Sequence, residues 1–397
     1  MISIINGTIL KGLDLKPSKE NILIDNGEII EISPDVCEGE IINAEDCIVS
    51  PTFLNAHTHI GDSIIKDGGD GLSFSEIVKP PNGIKHKALE NSSDEDIINA
   101  MKESMQLMLD SGTTHFIDYR EGGVKGVKLL RKAAKDIPIS PVILGRDDSF
   151  YGEDPDLHKV KVSVRKLLKC ADGIAPSGFG EVKPEVAEII VKECRDKSKI
   201  SSIHVAESIN AQNKTMDKYG SSEIELGVNF DFDQLVHLTN PIGGDVDCVG
   251  GGDGVITFCP RANASLSVGI PPIYDFLNIG KKPLLGSDNL MINSPNILRD
   301  LEFTLKILRA RFKNYIPPEE ILKFATTNIC HKSNKQILNK IIQKTPIQEN
   351  KKAQIMITKK LSKNNHLSII NRTETKNIKY ILNENFNIPQ QKIIGET

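Results

Sequence analysis

Two histidines, His57 and His59, stand two residues apart in the stretch SPTFLNAHTHIGD (50–62). The residues leading into them are apolar or small, which predicts a strand, and side chains at i and i+2 of a strand point the same way. Both imidazoles can therefore reach one metal ion. Three later residues complete the set: His204 in SSIHVAE, His237 in QLVHLTN and Asp288 in LLGSDN, each after a short β-rich run. Of nine histidines in the chain, four end such runs. Singly, His237 fits a satisfied core or surface histidine, and Asp288 after Gly-Ser fits a helix N-cap. Jointly, in this order on strand ends, they point to a metal centre.

The elements that must position these residues alternate. Residues 94–111 read as a helix with Ile97, Ile98, Met101, Met105 and Met108 on one side, a capping box at Ser92 and Glu95, and Gly112 as its stop. Strands and helices then follow in turn: THFIDY, helix 125–135, strand 139–145, helix 158–170, strand 172–176, helix 184–197, strand 200–205, a helix near 221–226 and the strand ending at His237. VITFC, a helix near 271–279, PLLGSD and helices near 296–312 and 318–328 close the series. Strands alternating with helices imply parallel pairing through right-handed crossovers. About eight such units over this length predict a (β/α)₈ barrel of the TIM type, whose active site lies at the C-terminal strand ends. The barrel is expected over 49–338.

The flanking segments, 1–48 and 339–397, are expected to build one small composite β-sandwich. Asn6-Gly7 and Asn26-Gly27 read as two hairpin turns, and AQIMI, HLSII and IKYIL as further strands. The stretch Lys66–Leu89 and the stretch 242–254 (IGGDVDCVGGGDG) read as loops, the latter without a phosphate-binding frame.

Composition narrows the class. The 397 residues are 39% hydrophobic and 26% charged, as in a globular protein. No apolar run is long enough for a transmembrane helix, and MISIINGTILKG reads as a strand and not a signal peptide. Seven scattered cysteines fit reduced thiols, hence a cytoplasmic protein. The net charge is −4, but residues 331–397 carry +9. That segment holds no nucleic-acid-binding motif and reads as a solvated basic surface, so neither a nucleic-acid nor a membrane partner is expected.

Several stretches carry a family likeness: IINGTIL, SPTFLNAHTHIGD, GTTHFID, IHVAES, FCPRANASLSVGIPPIYDFLNIGKKPLLGSDNLMINSPNILRDLEF and LKFATTN. With them the sequence resembles the amidohydrolase superfamily, in its cyclic-amine deaminase branch. That branch includes guanine and cytosine deaminases, S-adenosylhomocysteine/methylthioadenosine deaminases and triazine chlorohydrolases. The resemblance implies that His57, His59, His204 and Asp288 bind one divalent metal, Zn²⁺ or Fe²⁺. Such an ion lowers the pKa of a water toward neutrality. Glu207 is implied as the proton shuttle to a ring nitrogen, His237 as the group beside the attacking oxygen, and Asp288 as acceptor of the second proton. The reaction implied is hydrolytic deamination of a heteroaromatic amine (purine, pyrimidine or pterin-like) taken up as a small-molecule substrate. A cyclic amide or amidine hydrolase of the hydantoinase or imidazolonepropionase type, and a non-catalytic ligand-binding homologue, are the alternatives. A homo-oligomer is compatible with the resemblance.

The sequence departs from the family pattern after the first motif, where IGDSIIKDGGDG lacks the usual Arg-Gly. No Lys ends the fourth strand, which favours one metal over two; Lys183 lies further on. Arg120 and Arg146 end the second and third strands and can hold a carboxylate or phosphate, with salt bridges to Glu121 or Asp147 as the plainer reading. Lys85 and His86, in KPPNGIKHK, fit a lid over the mouth or a solvated loop. These four are expected substrate-binding residues.

Overall fold

The computed structural model describes residues 1–73, 76–77, 83–312, 315–383 and 390–391. Seven strands pair in parallel with their neighbours in chain order. They are Phe53–His59, Thr113–Arg120, Ser140–Gly145, Gly173–Ile174, Ile200–Val205, Gln234–His237 and Val255–Phe258. The eighth segment is in two pieces. Leu284–Leu285 pairs with Val255–Phe258, and Asp288–Asn289 pairs with Phe53–His59, which closes the sheet into a barrel.

The closure is tight because the first of the two residues between the pieces is glycine. A Cβ on Gly286 would lie 2.6 Å from the Cβ of His57. Asn55 locks the seam: its side chain accepts from the Ser287 backbone N–H (3.0 Å) and donates to the Ser287 hydroxyl (2.7 Å). The (β/α)₈ architecture is thus as the alternation predicts. Helices lie outside the ring, and the helix Asp94–Asp110 buries Ile97, Ile98, Met101, Met105 and Met108 against it. Its cap is Ser93, which accepts from Asp96 N; Ser92 instead donates to the Ala88 carbonyl and belongs to the preceding helix end.

Two further sheets stack on a shared aliphatic core that includes Ile4, Ile9, Ile22, Ile29, Val49 and Ile355. One has the order Lys351–Lys352, Glu28–Ser33, Asn21–Asp25, Ile2–Ile5, Glu40–Asn43. The other runs Gln390–Gln391, Ile378–Leu382, Ile355–Lys359, Cys47–Pro51, Thr8–Lys11, Lys16–Ser18. Each sheet contains strands from both chain ends.

Several local readings are corrected by the structure. Asn26-Gly27 does join an antiparallel pair, but Asn6-Gly7 does not. Asn6 takes the left-handed conformation (φ 65°), yet the strands on either side of it belong to different sheets, so the turn is a crossing. HLSII is not a strand: Asn364 caps a helix, Asn365–Arg372, whose Ile369 and Ile370 are buried. The stretch 242–254 contains a short helix, Asp245–Gly250, and the stretch 66–89 leads into another, Ile84–Asn91. Finally, a helix at Ile209–Tyr219 has no counterpart in the sequence reading. It buries only Gln212 and Thr215 and so presents no apolar stripe to detect.

Candidate active site

The strand ends bring His57, His59, His204, His237 and Asp288 together at the mouth of the barrel. His57 Nε2 lies 3.1 Å from Asp288 Oδ1, and His59 Nε2 lies 3.6 Å from the same oxygen. His59 Nε2 and His204 Nε2 are 3.4 Å apart. The His204 and His237 rings stack with centroids 5.2 Å apart. His237 (φ 79°) and Asp288 (φ 62°) both sit in the left-handed region, which side-chain-bearing residues adopt rarely and at some cost. In each case the backbone departs from strand geometry where the side chain joins the cluster.

The outer hydrogen bonds decide what the inner nitrogens offer. The Pro176 carbonyl lies 3.2 Å from His204 Nδ1 and can only accept, so Nδ1 carries the proton and Nε2 a lone pair. The Glu121 carboxylate lies 3.2 Å from His59 Nδ1 and imposes the same tautomer there. Two lone pairs therefore face each other at 3.4 Å in a buried place. A shared cation satisfies both; a hydrogen bond between them does not. Ligand atoms of His57, His59 and His204, and those of His57, His237 and Asp288, each lie within 4.8 Å of one another. Burial holds His57 down to about 4 and His59 to about 3, and pulls His204 well below its ordinary range, so all three are neutral. Burial opposes ionisation of Asp288, but the hydrogen bond from His57 and the surrounding rings outweigh it and hold the carboxyl far below its usual range. Neutral imidazoles with one carboxylate are the donor set of a divalent transition-metal site. The residues fit such an ion.

Glu207 stands beside this group, its Oε2 3.7 Å from His237 Nε2. Burial pushes its carboxyl up to about 7. His237 Nδ1 is 3.3 Å from Asn263 Oδ1, and its Nε2 has no hydrogen-bond partner. Glu223 shapes the turn that leads to Glu207: its carboxylate accepts from the backbone N–H groups of Gly180 and Ala206, both at 2.9 Å. Ala206, with φ 51°, is the bend itself.

These residues line a cavity of about 600 Å³. His59, His204, Glu207, His237 and Asp288 line it, as do Ser208, Asn210 and Lys214 at the start of and within the helix Ile209–Tyr219. Arg146 and Lys85 also line it, whereas Arg120 and His86 are not among its described lining residues. Arg146 is buried, donates from Nε to the Ala175 carbonyl (3.2 Å), and leaves Nη2 without a partner. Arg120 packs against Gly61, just past the end of the first strand, and pairs with Glu121 (3.1 Å). The salt-bridge reading therefore describes Arg120. Lys85 is neither lid loop nor solvated: it is 3% exposed, on a helix, between Asp62 and Glu121.

Sequence reasoning missed the supports Asp62, Asn263 and Glu223, and weighed Glu121 only as an arginine partner. None of them has a spacing signature; each is defined by an atom it touches across the barrel.

Residues 48–381 match the amidohydrolase family. A protein of Methanothermobacter thermautotrophicus, named only as a candidate aminohydrolase, is 44% identical over 96% of this chain and 97% of its own length. A 5-methylthioadenosine/S-adenosylhomocysteine deaminase of Caldicellulosiruptor saccharolyticus is 25% identical over 78% of this chain and 74% of its own. Among solved structures, a zinc-bound adenosine deaminase of Xanthomonas campestris superposes with a TM-score of 0.80 at 12% identity, over 98% of this chain and 92% of that one. At that identity the likeness is one of fold.

Proposed function

The chain belongs to the amidohydrolase family, and on that footing we propose that it is a metal-dependent hydrolase that deaminates a heteroaromatic amine. His57, His59, His204 and Asp288 would hold one divalent ion, zinc or iron. That ion, when bound, supplies Lewis acidity that brings a water to ionisation near neutral pH.

The observation that carries this reading is Glu207 at the cavity wall, next to His237 and close to the histidine–aspartate group, with a carboxyl that titrates at about 7. Such a group can take a proton and give it back at neutral pH. Glu207 takes the first water proton and delivers it to the ring nitrogen next to the amino-bearing carbon, while the water oxygen bonds to that carbon. His237, oriented by Asn263, holds the oxygen. Asp288 takes the second proton and passes it to the amino group, which leaves as ammonia; the ring keeps a carbonyl. A cavity of about 600 Å³ admits a nucleoside. The named deaminase relatives make adenine nucleosides the first substrates to try.

The test is ammonia release from purines, nucleosides, pyrimidines and pterins by protein of known metal content. Ammonia from one ring class at one ion per chain is the expected result. Fully metallated protein that releases none, yet opens hydantoins, lactams or imidazolones, would sink deamination.

A further inference from the structure

Behind the histidines lies a charged cluster that the proposed reaction does not use. Lys85, Arg120, Arg146, Asp62, Asp118 and Glu121 are all buried. Lys85 Nζ is 3.2 Å from Asp62 Oδ2 and 2.9 Å from Glu121 Oε1. The same Glu121 oxygen lies 3.2 Å from His59 Nδ1 and 3.5 Å from Arg146 Nη1. Arg120 reaches the other Glu121 oxygen at 3.1 Å and Asp118 Oδ2 at 3.8 Å. Three cations thus balance three carboxylates. Asp62 is fully buried, and its second oxygen, Oδ1, has no hydrogen-bond partner. Ligand atoms of His59, Asp62 and Glu121 lie within 4.8 Å of one another.

Lys85 is also the one buried residue of its helix, Ile84–Asn91. Lysines bury their stems but keep the ammonium in water, and one that does not is paired. Here the pairing is with Asp62 and Glu121, and without the ammonium Asp62 would be left in a dry pocket with no ion pair among the described residues, at high cost.

We propose that Lys85 is a tethered cation: its ammonium fills a second cation site formed by the Asp62 and Glu121 carboxylates beside His59, and so keeps the centre to a single metal ion. This rests on the reading that His57, His59, His204 and Asp288 hold that one ion. Remove the ammonium, and three carboxylates face two guanidinium groups beside the unpaired Asp62 oxygen. Oxygen ligands with a negative balance attract a hard or borderline divalent ion.

The experiment counts ions. Metal-free parent, Lys85→Ala and Lys85→Gln are titrated with Mn²⁺ and with Zn²⁺, and bound metal per chain is measured. The expected counts are one for the parent and two for both variants. Adding Asp62→Asn to Lys85→Ala returns the count to one. Methylammonium, small enough to take the place of the lost amine, displaces the second ion and leaves the first. A folded Lys85→Ala protein that binds only one ion overturns the proposal, as does a second ion indifferent to Asp62→Asn. If Lys85→Ala does not fold without metal, refolding in excess Mn²⁺ decides: recovery with two ions supports the tethered cation, and no recovery overturns it. A parent that binds no ion at all overturns the metal reading of the proposed function as well; a parent with one and a variant with one overturns only the role of Lys85.

Discussion

Two polar networks are buried in the same barrel, one at each end of the strands. At the N-terminal end Lys344 donates to the Thr52 hydroxyl, which is 2.7 Å from that of Thr114, and Thr114 is 2.9 Å from His115 Nδ1. At the C-terminal end stand the histidines, Asp288, Glu207 and Lys85. Both networks contain a buried lysine, and both leave a histidine nitrogen unpartnered, His115 Nε2 below and His237 Nε2 above. Burial makes His115 neutral as it does His59. The difference lies in the partners. Hydroxyls both donate and accept, so in the lower network each contact from Lys344 to His115 Nδ1 can pair a donor with an acceptor. In the upper network acceptors face acceptors, carboxylates share a small volume, and a cavity opens onto them. Buried polarity by itself therefore marks nothing; acceptors converging on a space that a molecule can enter do.

That contrast can be broken at several points. His59→Ala is expected to have the largest effect, losing the metal and with it nearly all turnover. Metal content and ammonia release measured together check it, and unchanged metal occupancy would remove His59 from the ligand set. Glu207→Gln is expected to keep the metal and lower turnover by about 10²–10⁴-fold, the worth of a positioned proton-transfer group. Full activity in that variant would take Glu207 out of the mechanism. At the other end of the barrel, Thr114→Val leaves the Thr52 hydroxyl and His115 Nδ1 without this partner. It should destabilise the protein by about 1–3 kcal/mol while metal content and turnover per folded molecule stay the same. Denaturant unfolding beside a metal assay separates the two, and a loss of metal would erase the distinction between the ends. The smallest effect is expected at the surface. Ser93→Ala, at the cap of Asp94–Asp110, should cost about 0.5–2 kcal/mol and Ser92→Ala less, since only Ser93 accepts from the first turn.

Much of this could be read before any coordinate. The strand before His57 shows in its apolar run, and the alternation of period-2 and period-3.6 segments names the barrel. The ends of successive strands then locate His204, His237 and Asp288. What failed to show has physical reasons. The helix Ile209–Tyr219 buries two polar residues, so hydrophobic periodicity passes over it. HLSII is β-rich in composition but folds as a helix because Asn364 caps it and the element carrying its buried Ile369 and Ile370 packs against the helices Ile297–Phe312 and Pro318–Lys323. Asn6-Gly7 has the backbone of a hairpin turn but a sandwich crossing on either side.

The sequence by itself determined the order of the elements, the residue types at the strand ends and the family they belong to, since these depend on neighbours along the chain. Tertiary structure alone decided the tautomers of His59 and His204, the elevated carboxyl of Glu207, the packing of Arg120 against Gly61 and the burial of Lys85 between Asp62 and Glu121. Each of these is set by atoms far away in sequence, acting over a few ångströms from which water is excluded. There a single hydrogen bond or charge outweighs any preference that the local sequence can express.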